Sequence, residues 1–493
     1  MLLKNVAGLV VAGCMLGGCA AGPTPLIARP PEPGETKTAV VAGDPVAKND
    51  PAITTVAAQT DQPRQTGPWV GAAGGSDFVL SGTNDTVLGV WVDVPQGLQK
   101  GHAPSAVSLV IDTSGSMAGP KMENARASAR ALVDRLKDGD IVSIVAFSDQ
   151  VDEKLPPTVL SASSRASINR VIAGLEPLGG TNMFDGLRIG ESRCFNAPTT
   201  HPVRRVVMIS DGIANVGPSS PEILGEVAAK GSEHGIQVTA VGVGLDYDER
   251  TLNALAIRSS GRLYHISEPD EMSAMLEKEI GLLQATAATD AFIEVVPAPG
   301  VQLLGADGIR TEWGTAGAMR IPLGTMFGGQ HREALLRVRV TAGGDGQHAL
   351  ASVRFHFRDP SDGNLERVQE VVARYQVTSD RLAIEQHKNQ KTQTILATQE
   401  ASQQALAAAQ QLNQGNFDEA DKALAKAEEK LQASAAGAGS AADRQRILAS
   451  AAQVSSVRKD ARAAAAAPKA SPAAAPRPAA LKANKAAMEA AGF

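Results

Sequence analysis

Ser108-Leu109-Val110-Ile111-Asp112-Thr113-Ser114-Gly115-Ser116-Met117 is an apolar run that stops abruptly in an acidic, hydroxyl-rich turn. A segment this short and this uniformly apolar reads as a strand covered on both faces of a parallel sheet. Asp112, Ser114 and Ser116 then follow at every second position. A turning backbone could aim their oxygens at one point beyond the strand's carboxyl end, where open α/β sheets bind ligands.

Two distant stretches supply what that turn lacks. Gly179-Gly180-Thr181-Asn182 is a glycine-rich loop opening a helix, and Val206-Val207-Met208-Ile209-Ser210-Asp211-Gly212 is a second apolar strand ending in a carboxylate. Together they offer the carboxylates of Asp112 and Asp211 and the hydroxyls of Ser114, Ser116 and Thr181. These are hard oxygen donors, suited to Mg²⁺, with Mn²⁺ or Ca²⁺ as alternatives, and unsuited to zinc or copper. Two carboxylates just neutralise a divalent ion. The neutral hydroxyls leave it electrophilic enough to take one more anionic ligand, so the set implies an open coordination position.

Asp112-x-Ser114-x-Ser116, Thr181 after paired glycines, and Ser210-Asp211-Gly212 after a strand resemble the metal-ion-dependent adhesion site of von Willebrand factor A domains, position for position. The resemblance implies that the serines and the threonine reach a metal directly or nearly so and that the aspartates often act through water. It also implies that the Asp or Glu of a partner protein completes the octahedron.

From 103 to 288 the pattern alternates strand and helix, which predicts a doubly wound, mostly parallel α/β sheet. Helical spacing runs over 121–136, 163–175, 185–194, 221–234, 249–257 and 269–283, and a polar stretch follows the strand at 141–147. Val241-Gly242-Val243-Gly244 lacks the third glycine and the following acid of a dinucleotide site, so it reads as a strand end.

Short strand-like runs flank this domain. Phe78-Val79-Leu80 and 87–94 precede it, with Asn84-Asp85 read as the turn between them, and 292–296, 320–323, 334–340, 349–357 and 368–375 follow it. Two strands make no stable domain. The expectation is a β-sandwich built from 76–102 and 289–378, with the α/β domain inserted in it. From 379 to 466 the composition turns to Ala, Gln, Glu and Lys: Asp380 caps a long helix to about Asn413, Gln414-Gly415-Asn416 breaks it, and further helices begin at Phe417 and Ala442. One such hairpin, similar to a tetratricopeptide unit, is too short for a solenoid and suits docking or self-association. The Ala/Pro/Lys-rich tail 467–493 reads as disordered.

At the start, Lys4, an apolar segment from Val6 to Leu16 and then Leu16-Gly17-Gly18-Cys19 read as a targeting signal over 1–18. Its end resembles the bacterial lipobox, which implies that Cys19 becomes an acylated first residue, and Ala20 after it favours the outer membrane. Residues 19–75 read as a Pro/Thr/Ala-rich tether. Cys14 leaves with the signal and Cys19 carries lipid, so Cys194 stands alone as a packed apolar residue and no disulfide framework is available.

A formal charge of −5 over 493 residues and an aromatic share of 3% give no nucleic-acid footprint. No H-E-x-x-H, G-x-S-x-G or phosphate-loop motif occurs, so no catalytic role is expected. The reading is a lipid-anchored protein of the bacterial cell envelope that captures a partner's Asp or Glu through a metal. The alternative is an envelope assembly scaffold acting through its C-terminal helices.

Overall fold

The computed structural model describes residues 68–97, 103–211, 214–244, 248–266, 271–306 and 308–466, with a few positions between 479 and 486. The signal, Cys19, the tether up to residue 67 and Gly212 lie outside the described residues. The end of the stretch read as tether, 19–75, is instead part of the fold: Val70–Gly74 is a strand paired antiparallel with Gly82–Asp93, because Val70 is buried in the sandwich core.

The α/β layer is a six-stranded sheet in the order Val151–Val159, Ile141–Phe147, Ser105–Asp112, Val203–Ser210, Ile236–Val243 and Arg262–Ile266. All neighbours are parallel except the first pair. Side chains of a strand alternate between faces, and Ser105–Asp112 shows what that requires here. Leu109 and Ile111 pack with Leu132 and Leu276 on one side, while Val110 packs with Leu187, Met208 and Leu224 on the other. A strand with two apolar faces needs helices on both. Pro120–Arg135 and Glu271–Gln284 cover the first face, and Met183–Phe195, Pro221–Ser232 and Glu249–Arg258 the second. Each such Leu, Ile or Val contributes about 1.5–3 kcal/mol by leaving water. The next strand in sequence lies on one side of Ser105–Asp112 and Val203–Ser210 on the other, so the winding reverses at this strand.

The polar stretch after Phe147 is a strand, Val151–Val159, paired antiparallel with Ile141–Phe147. As the sheet's outer member it is mostly solvated and tolerates Pro156 and Pro157, which a central strand would not. Val241 and Val243 are buried strand residues, and Gly244 ends the strand at φ +84°. Cys194 is fully buried, its thiol pushed up to about 12 by burial, and its Sγ donates to the carbonyl of Arg205 at 3.4 Å.

Two further sheets form a sandwich. One has the order Val70–Gly74, Gly82–Asp93, His331–Ala342, Val301–Ala306. The other runs Glu312–Trp313, Met319–Phe327, Thr286–Pro297, Gln347–Asp359, Leu365–Thr378, Phe78–Leu80. Gly82–Asp93 pairs along its whole length with His331–Ala342, and Phe78–Leu80 pairs in parallel with the end of Leu365–Thr378. Chain from before and after the α/β domain therefore builds one core, in which Leu88, Val90 and Val92 meet Leu336, Val338 and Phe355.

Asn84 and Asp85 are strand residues instead of a turn. Asp85 stands opposite Arg339 and accepts its Nε and Nη2 at 2.6 and 2.9 Å, a cross-strand pairing that outweighs local turn preference. The reversal comes earlier, at Ser81-Gly82, where Gly82 takes φ +93°.

The first C-terminal helix is also divided. Asp380 caps only Arg381–Gln386, and Asn389 caps a second helix, Gln390–Asn413. The cause lies far away in sequence: Ser76 Oγ lies 3.0 Å from the carbonyls of both Ile384 and His387, drawing the chain against the sandwich. Gln390–Asn413, Phe417–Ala436 and Ala441–Ala466 form an Ala/Leu-rich bundle. It docks on the sandwich, where Thr392 donates to the carbonyl of Ala73 at 3.0 Å and a Cβ at Gly89 would meet Thr392 Oγ1 at 2.8 Å. Within the tail expected to be disordered, Ala479, Ala480, Ala483 and Ala486 are buried in the bundle core and Lys482 pairs with Asp460 at 2.6 Å. Alanines spaced three and four apart give an apolar stripe narrow enough for the groove between helices. Among the described residues no helix is long and apolar enough to cross a membrane.

Candidate metal centre

Three loops meet at the carboxyl ends of Ser105–Asp112 and Val203–Ser210, beside the point where the winding reverses. Asp112 closes its strand with no exposed surface. Its Oδ1 accepts the backbone N–H of Ser114 at 2.8 Å and its Oδ2 accepts the hydroxyl of Ser210 at 2.5 Å. Beyond it, Gly115–Met117 forms a single tight turn that presents Ser116 to solvent while Met117 returns to the core. Ser114 Oγ and Ser116 Oγ lie 3.1 Å apart, and Ser116 donates to Asp211 Oδ1 at 2.8 Å.

Thr181 is brought to the same place by backbone bonds. Leu178 N donates to the carbonyl of Thr113 at 2.6 Å and Gly115 N to that of Gly179 at 3.1 Å, fastening the glycine-rich loop onto the serine turn. On its other side, Thr181 N donates to Asn215 Oδ1 at 2.8 Å, and the Thr181 carbonyl accepts Asn215 N at 3.1 Å. The paired glycines have a steric cause. Gly179 sits at φ +77°, and a Cβ there would fall 2.1 Å from Asp149 Oδ2. A Cβ on Gly180 would fall 2.6 Å from Asp149 Oδ1, the oxygen that accepts Gly180 N at 2.8 Å. The following helix, Met183–Phe195, opens on Asn182, whose side chain accepts Asp185 N at 3.2 Å.

Burial pushes the Asp112 carboxyl above its ordinary value, with the neighbouring charge of Asp211 adding to it, although the Ser210 and Ser114 hydrogen bonds pull the other way. A buried carboxylate held above its usual range beside a second carboxylate is a site that gains from a cation. The donor set fits a hard divalent ion: carboxylate and hydroxyl oxygens, no nitrogen or sulfur, and an open side at exposed Ser116. Among the described residues, no group of three or more His, Cys, Asp or Glu is placed to hold a metal ion.

Asp112, Ser114, Ser116 and Asp211 are thus joined directly or through Ser210 by side-chain and backbone hydrogen bonds, and Thr181 through the backbone of its loop. Three contributors escaped sequence reasoning. Asn215 and Asp149 shape the Thr181 loop from other strands' ends, and nothing local marks them. Lys121, whose ammonium pairs with Asp211 Oδ2, looked like an ordinary first-turn helix residue.

Comparison with known proteins bears on this layer first. Residues 107–278 match the family model described as the von Willebrand factor type A domain. An uncharacterized protein of a Synechocystis strain, sll0103, is 26% identical over 270 residues, covering 53% of this chain and 63% of that protein. The uncharacterized YfbK of Escherichia coli is 29% identical over 213 residues, 42% of this chain and 37% of the relative. The chain therefore spans less than two thirds of either relative. A solved von Willebrand factor type A structure from Catenulispora acidiphila superposes with TM-score 0.67 at 17% identity, over 85% of this chain and 96% of that one. At that identity the likeness is one of fold. Its coverage takes in more than the α/β layer.

Proposed function

We propose, from the premise that residues 107–278 form a von Willebrand factor type A domain, that this chain is a protein-binding module of the bacterial cell envelope. It captures an Asp or Glu of a partner protein through a divalent ion, Mg²⁺ first, with Asp112, Ser114, Ser116, Thr181 and Asp211 holding the ion directly or through water. When bound, the ion supplies a Lewis-acidic position for the partner's carboxylate. The observation that carries this reading is the convergence of three loops, hydrogen-bonded to one another, on two buried carboxylates with one open, hydroxyl-lined side. Leu178, 75% exposed in the Thr181 loop, offers the partner an apolar contact nearby.

Membrane anchoring belongs to the same proposal. Leu16-Gly17-Gly18-Cys19 supports acylation of Cys19 and residence at the outer membrane. Two or more acyl chains anchor durably, at roughly 0.8 kcal/mol per buried CH₂. Mass spectrometry of the mature protein is expected to find an N-terminal Cys19 carrying acyl mass; an unacylated start elsewhere would remove this part of the proposal.

The capture experiment uses crosslinking in native envelopes in Mg²⁺, in chelator, and in chelator followed by excess Mg²⁺. Partners recovered in the first and third conditions and lost in the second are expected. Equal recovery in all three would mean that the metal centre takes no part and that the helical bundle carries the interaction.

A further inference from the structure

We propose that Lys121 is a built-in competitor for the cation position: its ammonium satisfies Asp211 in the metal-free protein and thereby sets how tightly the site holds a divalent ion. The inference rests on the metal-dependent reading above and deepens it.

Lys121 follows Gly119 and Pro120, the residues that open the helix Pro120–Arg135. Gly119 takes φ +78°, which swings the chain out of the serine turn, and Pro120 starts the helix without needing a hydrogen-bond acceptor. A lysine in the first turn sits at the positive end of the helix dipole, the less favourable end for a cation. Here the side chain instead folds back over the site, and Nζ pairs with Asp211 Oδ2. The Lys121 side chain is 32% exposed, whereas that of Asp211 is wholly buried. An ordinary surface pair would be screened by water. In this one the acceptor has no water of its own.

The charges give the consequence. Asp112 and Asp211 contribute two negative charges and Lys121 one positive, leaving the constellation at −1. Both oxygens of Asp211 are already engaged, Oδ1 by the Ser116 hydroxyl and Oδ2 by Lys121. A divalent ion that recruits Asp211, directly or through water, must share or displace that ammonium, and repulsion between the two cations is strong at this range in a partly buried site. If the ammonium stays nearby, the loaded site reaches +1, which favours a partner's carboxylate over a neutral amide. Gly244 lies beside the lysine, where a Cβ would come 3.5 Å from Lys121 Cε, an ordinary contact.

The test is Mg²⁺ calorimetry on the purified full chain, wild type, Lys121→Met and Lys121→Arg, with thermal unfolding in chelator and in Mg²⁺. Lys121→Met keeps the apolar stem and removes the charge. It is expected to bind Mg²⁺ on the order of tenfold or more tightly than wild type and to melt at a lower temperature in chelator, while Lys121→Arg stays near wild type in affinity. Lys121→Met binding no more tightly than wild type, with wild type binding normally, would overturn this inference and leave the metal-dependent reading standing. If neither wild type nor Lys121→Met binds Mg²⁺ or Mn²⁺ at millimolar concentration, both fall together.

Discussion

Asp112→Ala is expected to abolish the Mg²⁺ binding that calorimetry detects in the wild type, with a loss of about 100-fold or more, because a full negative charge leaves the centre whether Asp112 reaches the ion directly or through water. Asp112 supplies half of the negative charge in the centre and is the group through which the serine turn is organised, since Ser114 N and Ser210 Oγ both donate to it. The fold should survive. Leu109 and Ile111, which carry the strand's packing, lie beneath the loop and keep every apolar neighbour. Circular dichroism should therefore be unchanged while metal binding disappears. Ser114→Ala removes one neutral oxygen and no charge, so its loss should be smaller. An Asp112→Ala protein that titrates with Mg²⁺ like wild type would refute the assignment of the centre to these loops.

Glu333→Ala should be clearly destabilising, because this carboxylate ties the sandwich to the helical bundle. Glu333 lies in the strand His331–Ala342, its side chain 8% exposed. It accepts His331 Nε2 at 2.7 Å and Thr398 Oγ1 at 2.5 Å. Arg446 Nη2 lies at 3.4 Å from it and at 2.6 Å from Asp443, which also pairs with Lys391 at 2.5 Å. Burial alone would raise the carboxyl, but the His331 hydrogen bond and charge, the Arg446 charge and the Thr398 hydroxyl overcome it and hold Glu333 at about 2. Removing this carboxylate costs about 1–3 kcal/mol, because His331 keeps Asp93 and Arg446, a third exposed, keeps Asp443.

The pH dependence follows from the direction of that shift. The ordinary value is 4.5 and the folded value is lower, so the unfolded chain takes up the proton first on acidification. The stabilisation is fully present above about 4.5 and is lost as pH falls from there toward 2. Urea unfolding, with limited proteolysis of 390–466, should show the wild type at pH 3 approaching the variant at pH 7. A variant within about 0.5 kcal/mol of wild type at pH 7, the range of an ordinary surface substitution, would show that the bundle is held by its apolar contacts alone.

Much of the α/β layer was legible in the chain because its central strands are covered on both faces. Double coverage demands unbroken apolar runs such as Val206–Ile209, and those runs stop where the ligand-bearing turns begin. The five residues proposed for the centre were picked out for the same reason, each lying just past a strand end or a glycine pair whose pattern marks it. Val151–Val159 was not legible, because a strand at the sheet's edge has a solvated side and no required period. Asn84 and Asp85 look like a turn until Arg339 stands opposite, 254 positions later. The break at His387 exists because Ser76 reaches it from the sandwich.

By itself, then, the sequence determined those features whose free energy comes from nearby residues or from burial demanded at every position: the strand and helix periods, the serine turn and most of the helix caps. Tertiary structure alone decided which charges meet. Lys121 with Asp211, and Glu333 with Thr398 and Arg446, are pairings of polar residues whose local preferences are satisfied equally well by water. Only when the apolar cores fix the elements in space do these groups lose that water and become obliged to satisfy one another.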